Sequence, residues 1–494
     1  MANGRWAELI GLLLVGCLAL GAFALVADRA TGGQGGVPLD DAWIHFQFAR
    51  NLARGDGFSF NPGEPTSGST APLWTVLLAG GYLAGGVFPL AGQLLSGACL
   101  LATLAATYEL TRQITGKRWA AWMAGTVVAL NGRMVWAGLS ALETCLFAAL
   151  SLWAISAHLH DVHAGRYRLR TALLFGLAAL SRPEGYLLFA LSLFAFTLCA
   201  PRTHHAPRIT YHVLAPALLF AVIVSPYLIF SLHTSGHLLP NTFHAKATAG
   251  LRLDLNFLSL WARYLILDNF ILLPFYILGV GVLFKRAPLL SLWSLGLPLA
   301  YAFLGAVLYQ HGRYLMPLIP VNAVIALAGL LEAQRMLHWR EAGHCWKNLA
   351  FILLILMGSG WSLPTMAHQY GLNVAEIDQM HVALGHWVAE NTPPDALLAL
   401  NDIGAITYIS ERQVVDLAGL ITPQIIPLLH SPDRDALLAD FMAAQGVDYV
   451  IVFPNWFHAL ATNSDLEEVH RVTLEHRTIA GGETMIVYRT HWQR

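Results

Sequence analysis

Residues 40–64 read DDAWIHFQFARNLARGDGFSFNPGE and place two adjacent carboxylates, Asp40 and Asp41, just after the first long apolar segment of the chain. That segment runs from Leu9 to Val26 and is longer than the apolar core of a signal peptide, so we interpret it as a retained membrane anchor. Ionisable groups are costly to hold beside a membrane, and their presence there points to function. The stretch therefore predicts chemistry at a membrane surface.

The composition of the whole chain indicates a polytopic membrane protein. Of its 494 residues, 56% are hydrophobic and only 12% are charged, and the mean hydropathy is +0.54. The formal net charge is −1, and the lysines and arginines form no dense run. This pattern excludes a nucleic-acid-binding protein.

The apolar segments predict eleven membrane spans: nine close to the roughly 20 apolar residues that a spanning helix needs, and two shorter ones, 171–181 and 186–200, on either side of SRPEG. Residues 72–88 are left out of this count, because only then do all the short basic loops fall on the cytoplasmic side, as membrane proteins prefer. We predict that 72–88 forms an amphipathic or re-entrant helix at the outer surface. The predicted spans are 6–26, 92–111, 119–138, 141–160, 171–181, 186–200, 210–231, 264–284, 288–309, 314–334 and 348–365.

Two parts of the chain follow from this pattern. Residues 1–365 are predicted to form a mainly α, polytopic membrane helical bundle, with an outer loop and juxtamembrane helices over 27–91. Residues 366–494 change to short helices and β-rich runs, which is typical of a soluble α/β domain. The same span count places this domain and five polar segments outside the cytoplasm: DDAWIH, SALET (140–144), SRPEG (181–185), PNTFHAK (240–246) and HGRY (311–314).

These segments also carry a resemblance to a known family. The stretch from Asp40 resembles the first outer loop of the GT-C glycosyltransferases, and within them the polyprenyl-phosphate arabinofuranosyltransferase-like branch. The resemblance spans nearly the whole chain, because further segments match the same branch in the same order. They are LSALETCLF (139–147), LSRPEGYLLF (180–189), PNTFHAKA (240–247), GRYLMPLIP (312–320) and NDIGAITYISERQVVDLAGL (401–420).

The resemblance implies a multi-pass enzyme of the cytoplasmic membrane with its active site on the extracytoplasmic face. It would move a sugar, with inversion, from a polyprenyl-phosphate donor to an acceptor hydroxyl of a cell-envelope glycan. An alcohol is a poor nucleophile, so a carboxylate should take its proton. The alignment puts Asp40 on the catalytic position and Asp41 on a supporting one, and a shift by one residue stays open. The alternative is that one of the two only caps a helix.

The departing lipid phosphate needs cations on the outer side. Lys246 is the only one of the four lysines not assigned to a cytoplasmic loop, and Arg313 lies at the outer mouth of a span, followed by Tyr314. A guanidinium can hold phosphate oxygens through two hydrogen bonds. We therefore expect Lys246, Arg313 and Tyr314 to bind the donor phosphate, the alternative being interfacial anchors to lipid headgroups.

Further residues of the outer segments are candidates for binding the acceptor or a metal. No cofactor is firmly predicted, and a divalent cation (Mg, Mn or Ca) would depend on Asp41 and Glu143, since no established metal-ligand spacing occurs. Arg182 and Glu184 have a second interpretation as a structural ion pair. The full set of these candidates is Glu143, Arg182, Glu184, His45 and His244.

Two other functions stay open at this point. Arabinofuranose is favoured by resemblance alone, and the same machinery would also suit transfer of mannose or another hexose to a glycan, a lipid or a protein. A lipid-sugar transporter or flippase would also hold ionisable groups in a helical bundle, but such proteins usually show internal repeats, and none is visible here. The expected partners are a polyprenyl-phosphate sugar donor, a glycan acceptor and membrane lipids, with no nucleic acid.

Overall fold

The computed structural model describes residues 2–86, 88–199, 206–238, 240–241, 253–304, 310–337 and 345–492. Lys246 and His244, which we predicted to be site residues, lie outside these ranges. The described chain is mainly helical, with one small sheet near its C-terminus. The protein is thus a helical bundle followed by an α/β region, as the sequence predicts.

The helices before the sheet make up most of the described chain. Most are apolar over much of their length, which fits a lipid-facing or buried environment. In chain order they are α1 Ala2–Ala30, α2 Asp40–Arg54, α3 Pro72–Leu83, α4 Leu90–Thr115, α5 Arg118–Ala129, α6 Gly132–Leu139, α7 Thr144–His163, α8 Leu169–Ser181, α9 Glu184–Cys199, α10 Ala206–Ser235, α11 Leu255–Asn269, α12 Leu273–Arg286, α13 Pro288–Leu304, α14 Leu318–Met336, α15 Cys345–Gly360, α16 Leu363–Ile377 and α17 Ala383–Asn391.

Fewer of these helices than predicted have the full length of a span. Among the described residues, six are long and apolar enough to cross a membrane, or seven if α11 and α12 form one bent span. The predicted spans 171–181, 186–200 and 288–309 correspond to the shorter apolar helices α8, α9 and α13. The bundle therefore combines full spans with short helices.

Two predicted spans are interrupted, each beside an asparagine whose side-chain oxygen accepts hydrogen bonds from backbone N–H groups that follow it. In 119–138, Asn131 Oδ1 accepts a hydrogen bond from Met134 N (3.1 Å) and starts α6. In 264–284, Asn269 Oδ1 accepts from the backbone N–H groups of Ile271 and Leu272, both at 3.1 Å, and the chain bends by 112°. A side-chain acceptor here replaces the backbone carbonyl that a continuous helix would supply.

The helix predicted at the surface is short. α3 has 12 residues, fewer than the roughly 20 that a span requires. Its buried side chains, among them Trp74, Thr75 and Leu78, recur at helical spacing on one face. α3 therefore packs one face against the protein and does not have the length to cross.

The sheet has five strands in the order β2-β1-β3-β5-β4, with β1 parallel to β2 and β3, and β5 antiparallel to β3 and β4. Its parallel strands β1 and β3 are almost wholly buried, as expected when helices cover both faces. The elements are β1 Leu397–Leu400, α18 Gly404–Ser410, β2 Gln413–Asp416, α19 Ile426–Leu429, α20 Arg434–Gln445, β3 Tyr449–Val452, α21 His458–Ala461, β4 Leu466–Thr473 and β5 Thr484–Thr490.

The outer segment after α1 packs against the α/β region. Asn61 pairs its side-chain amide with the backbone of the edge strand β2: Nδ2 donates to Val414 O and Oδ1 accepts from Val414 N, both at 3.0 Å. Arg50 of α2 donates to Tyr408 O (2.8 Å) at the end of α18. These contacts cover an otherwise open sheet edge and fix α2 between the bundle and the sheet.

The division of the chain at residue 366 stays a prediction. α16 runs through it, and its buried side chains, such as Tyr370 and Val374, pack in the core of the helical bundle. The core below the sheet takes Met380, Leu384 and Val388 from the helical turns that follow.

Candidate functional site

The two adjacent carboxylates open α2 but do not cap it. The residue before α2 is Leu39, which provides no side-chain cap, and Asp40 and Asp41 occupy the first turn. Negative charge there is favoured by the helix dipole. Because successive residues on a helix point about 100° apart, the two side chains face different parts of the molecule.

Asp41 faces the membrane bundle and forms an ion pair with Arg313. The Nη2 atom of Arg313 donates to Asp41 Oδ2 at 2.7 Å, although 272 residues separate the two in sequence. The Arg313 side chain is only 7% exposed, whereas that of Asp41 is 36% exposed. A buried cation thus holds a carboxylate that solvent or a ligand can reach.

A second arginine organises the carboxylates beside this pair. Arg182 donates to Glu143 Oε1 through Nη1 (2.7 Å) and to Glu184 Oε1 through Nε (2.9 Å), and all three side chains are buried. The other oxygen of Glu143 lies 3.5 Å from His45 Nε2. Tyr301 donates its hydroxyl to Glu184. Arg182 and Glu184 form the structural ion pair of their second interpretation, and their contact with a substrate stays a prediction.

Tyr314 joins the two arginines. Its ring centroid lies 5.4 Å from the Cζ atoms of both Arg182 and Arg313, within cation–π range. One continuous network therefore contains seven residues predicted from the sequence, with two arginines facing three carboxylates. Those residues are Asp41, His45, Glu143, Arg182, Glu184, Arg313 and Tyr314.

The network shifts the pKa values of Glu143 and Arg313. Burial alone would raise the pKa of Glu143, but the contact with His45 and the positive charges of Arg182 and Arg313 outweigh it and hold that pKa well below its usual range. Burial alone would lower the pKa of Arg313, but the charge of Asp41 raises it further. Both groups therefore remain ionised at neutral pH.

Two buried nitrogen atoms of this network have no hydrogen-bond partner within the described part of the chain. They are Nε of Arg313 and Nδ1 of His45. A buried donor without a partner is costly, and such atoms often mark the place of a ligand. Arg313 thus has hydrogen-bonding capacity beyond its ion pair.

Asp40 faces the α/β region instead. Its two carboxylate oxygens accept hydrogen bonds from Gly404 N and Ala405 N, both at 2.7 Å, at the first turn of α18. A Cβ on Gly404 would lie 2.2 Å from Asp40 O, so only glycine allows this approach. Asp40 is 9% exposed, and this geometry favours Asp41 over Asp40 as the reactive carboxylate.

The surroundings of Asp40 shift its protonation. Burial raises its pKa to about 6, the positive charge of His381 lowers it, and the negative charge of Asp402 raises it. The Nε2–H of His381 donates to Asp402 Oδ2 at 3.0 Å. Asp40 therefore titrates as part of a contact between α2 and the α/β region.

The carboxylates named as possible cation ligands do not fit a metal site in this arrangement. Among the residues that the structure describes, no three histidine, cysteine, aspartate or glutamate side chains are grouped to hold a metal ion. Asp41 and Glu143 each accept from an arginine at 2.7 Å, and a guanidinium so close repels a divalent cation. We therefore assign no role to a metal ion at this site.

Sequence reasoning missed Arg133, Asp268 and Tyr301. Arg133 donates to both oxygens of Asp268, at 3.0 and 2.8 Å, next to the loop that carries Arg313. One signal was present, because Arg133 is a charged residue inside the predicted apolar span 119–138. Asp268 carries the same signal, as a charged residue inside the predicted span 264–284, whereas Tyr301 has no comparable signal and only the fold brings it to the site.

Comparisons with known proteins give a partial family match. A family model described as a domain of unknown function, DUF8728, matches residues 372–492, which contain the sheet. No curated protein sequence matches the chain.

Solved structures resemble almost the whole chain. The apo structure of ArnT from Cupriavidus metallidurans is 14% identical, with a TM-score of 0.62, covering 99% of this chain and 98% of that one. The oligosaccharyltransferase of Archaeoglobus fulgidus, in complex with Zn and sulfate, is 15% identical, with a TM-score of 0.60, covering 91% and 69%. Arabinofuranosyltransferase AftD from Mycobacteria is 16% identical, with a TM-score of 0.52, covering 97% of this chain and 41% of that one.

At these identities the likeness shows the fold. The chain has the mainly α GT-C architecture of a multi-pass membrane protein, which confirms the predicted fold class.

Proposed function

We propose that this chain is an integral membrane glycosyltransferase that moves a sugar from a polyprenyl-phosphate donor to an acceptor hydroxyl. The observation that carries the proposal is the pair formed by the accessible carboxylate of Asp41 and the buried guanidinium of Arg313, 2.7 Å apart. It places a proton acceptor next to a cation for a phosphate leaving group. These are the two groups that the reaction needs.

The fold supports the donor class. ArnT of Cupriavidus metallidurans has also been solved bound to undecaprenyl phosphate, and that structure covers 96% of this chain with a TM-score of 0.59 and 14% identity. A lipid phosphate is therefore compatible with this architecture. For the present chain the donor remains part of our proposal.

Asp41 acts as the general base in this mechanism. As the acceptor oxygen attacks the anomeric carbon, its proton passes to the Asp41 carboxylate. The bond between the anomeric carbon and the phosphate oxygen breaks, and its electron pair stays on that oxygen. Attack opposite the leaving group inverts the anomeric centre. Asp40, whose carboxylate is already bound by two backbone N–H groups, supports the geometry from the other side of α2.

Arg313 stabilises the departing phosphate. Its buried Nε–H has no hydrogen-bond partner among the described residues and can donate to a phosphate oxygen, and Tyr314 lies beside it. In a buried setting such charge-assisted bonds are stronger than in water. Lys246 would add a second cation, and this role rests on the sequence alone.

Arg182 and the two carboxylates bound to it lie beside the reacting groups. Glu143 and Glu184 are both bound to Arg182, so they act as a fixed frame, and His45 at 3.5 Å from Glu143 is the member best suited to contact acceptor hydroxyl groups. His244 stays a candidate for the acceptor from the sequence.

The identity of the sugar rests on sequence resemblance. We favour arabinofuranose and a cell-envelope glycan acceptor, with the reaction on the extracytoplasmic face of the cytoplasmic membrane. A mannosyl or other hexosyl donor would use the same residues. Transfer assays with pentose and hexose donors distinguish these two classes of sugar.

The test uses the purified full chain in lipid nanodiscs with a panel of synthetic polyprenyl-phosphate pentoses and hexoses and mixed glycan acceptors. We expect transfer from one donor class, and loss of about 10²- to 10⁴-fold in kcat for Asp41→Asn, the usual contribution of a general base. Asp28→Asn is the matched control, since Asp28 is an exposed acid at the end of α1.

Asp28→Asn should transfer at the wild-type rate. Equal activity of Asp41→Asn and wild type would reject Asp41 as the base. Absence of transfer from every donor, together with movement of lipid-linked sugar across proteoliposomes, would replace the enzyme with a transporter.

A further inference from the structure

The loop that carries Arg313 has an unusual backbone. Gln310, His311 and Gly312 have φ values of 54°, 60° and 70°, so three successive residues adopt the left-handed conformation. Two of them carry side chains, for which this conformation is strained. Such a conformation persists only where the surrounding structure holds it.

Arg133 holds this loop through hydrogen bonds to the backbone carbonyl groups of the loop. Its Nε donates to His311 O at 2.8 Å and its Nη2 donates to Gly312 O at 3.0 Å. A Cβ on Gly312 would come within 2.8 Å of Arg133 Nη2, so the backbone and the guanidinium are in direct contact. The next residue in the chain is Arg313, which pairs with Asp41.

Arg133 is itself held on its other side. Its Nη1 donates to both oxygens of Asp268, and its guanidinium lies 4.1 Å from the ring centroid of Tyr264. Asn131 donates to Asp268 Oδ1 at 3.0 Å. Arg133 is only 7% exposed, so both charges of this pair are largely removed from solvent. The planar guanidinium thus donates to three acceptor groups at once, namely the carboxylate of Asp268 and the carbonyl groups of His311 and Gly312.

The side chain of His311 is also fixed. Its Nε2 lies 2.9 Å from Asn373 Oδ1 on α16, and its ring packs edge-on against Trp136 at 5.3 Å. Trp136 donates to the same Asn373 oxygen at 3.0 Å. The loop therefore has contacts with α6, α11 and α16, all outside the network of Asp41 and Arg313.

We infer that Arg133, oriented by Asp268, is a positioning residue that fixes Arg313 against Asp41 by clamping the carbonyl groups of His311 and Gly312. The inference rests on the proposed function for its catalytic consequence. Arg133 touches neither Asp41 nor Arg313 in the contacts described above, so its effect on transfer must pass through the loop.

The test is a double-mutant cycle on the full chain in nanodiscs. Arg133→Lys keeps the charge but removes the fork, and we expect kcat/KM for the donor to fall by about 100-fold, as small misplacements of reacting groups do. In an Arg313→Ala background the same change should alter kcat/KM by less than about 2-fold, because the loop then has nothing to position. Equal losses in both backgrounds would overturn the inference.

A matched control separates positioning from general stability. Arg412 also holds backbone carbonyl groups, donating to Ser410 O at 2.7 Å and to Thr392 O at 2.9 Å in the α/β region, away from the network of Asp41 and Arg313. Arg412→Lys should lower thermal stability while leaving kcat/KM within about 3-fold of wild type. A 100-fold loss in Arg412→Lys would contradict the inference.

Hydrogen exchange gives a readout that does not depend on any donor. In Arg133→Lys and in Asp268→Asn, the amides of residues 310–316 should exchange at least about tenfold faster, while those of α18 keep their wild-type rates. If wild type transfers no sugar but this local change occurs, the proposed function fails and the clamp stands. Unchanged exchange over 310–316 in both variants would reject the clamp itself.

Discussion

The two sides of α2 hold adjacent carboxylates in different ways. On the bundle side, Asp41 belongs to a network of charges in which Arg313 and Arg182 face three carboxylates. On the sheet side, Asp40 meets two backbone N–H groups of α18. The first environment leaves a carboxylate accessible, and the second buries one as a structural contact.

The difference shows that neighbouring residues of one type need not share a role. When an ion pair of this kind opens, the arginine can donate to a phosphate and the carboxylate can accept from a hydroxyl, and no backbone amide is left unsatisfied. A carboxylate that accepts from a helix N-terminus cannot be withdrawn without exposing two buried donors. Function is therefore expected on the side of the charges, and stability on the side of the amides.

The largest effect is expected from removing the central arginine of the charge network. Arg182→Met should lower the free energy of unfolding by about 3–5 kcal/mol, because Glu143 and Glu184 would remain buried without their shared cation. Chemical unfolding in detergent measures this. Glu184→Gln keeps the pair between Arg182 and Glu143 and should cost clearly less; equal costs would mean that the network does not depend on Arg182.

The sheet side should respond to pH. Burial raises the pKa of Asp40 from 3.8 to about 6, so the folded state binds its proton more tightly than the unfolded state. Its contribution is fully present below about pH 4 and is lost as the pH rises through 6, a change of up to about 3 kcal/mol.

Asp40→Asn removes this titration. The free energy of unfolding of wild type minus that of Asp40→Asn should therefore decrease between pH 4 and pH 7, as measured by unfolding of both proteins at each pH. An increase over this range would show that Asp40 is ionised more easily in the folded protein than in water. Transfer by Asp40→Asn at neutral pH should stay within about 10-fold of wild type, far above the loss expected for Asp41→Asn.

The smallest of the three effects concerns ligand binding on the bundle side. Arg313→Ala should weaken binding of undecaprenyl phosphate by about 10- to 100-fold, the value of one or two hydrogen bonds to a charged group. Titration of the lipid phosphate into nanodiscs measures the Kd. Arg54→Ala, which changes a more exposed arginine at the end of α2, should bind as wild type does; equal weakening in both would point to a general charge effect.

The sequence carried the fold class and most of the candidate site. Long apolar segments can only be membrane or buried helices. Seven predicted polar residues meet in one network although they come from segments far apart in sequence. The sequence also anticipated that residues 72–88 would not cross, since α3 is too short.

Other features of the structure could not be predicted from the sequence. The break at Asn269 depends on a side chain that accepts from the backbone N–H of Ile271 while donating to Ser359 Oγ of another helix. The role of Arg133 depends on Asp268 and on the carbonyl groups of a loop far along the chain. No local pattern encodes such partners.

Hydropathy and the spacing of polar segments by themselves determined that this is a multi-pass helical protein with its ionisable residues gathered in a few loops, because the cost of placing charge in lipid acts on every segment separately. Only the tertiary structure decided which of Asp40 and Asp41 meets Arg313. That choice depends on the rotation of α2 and on partners 272 and 364 residues away, and long-range packing alone sets both.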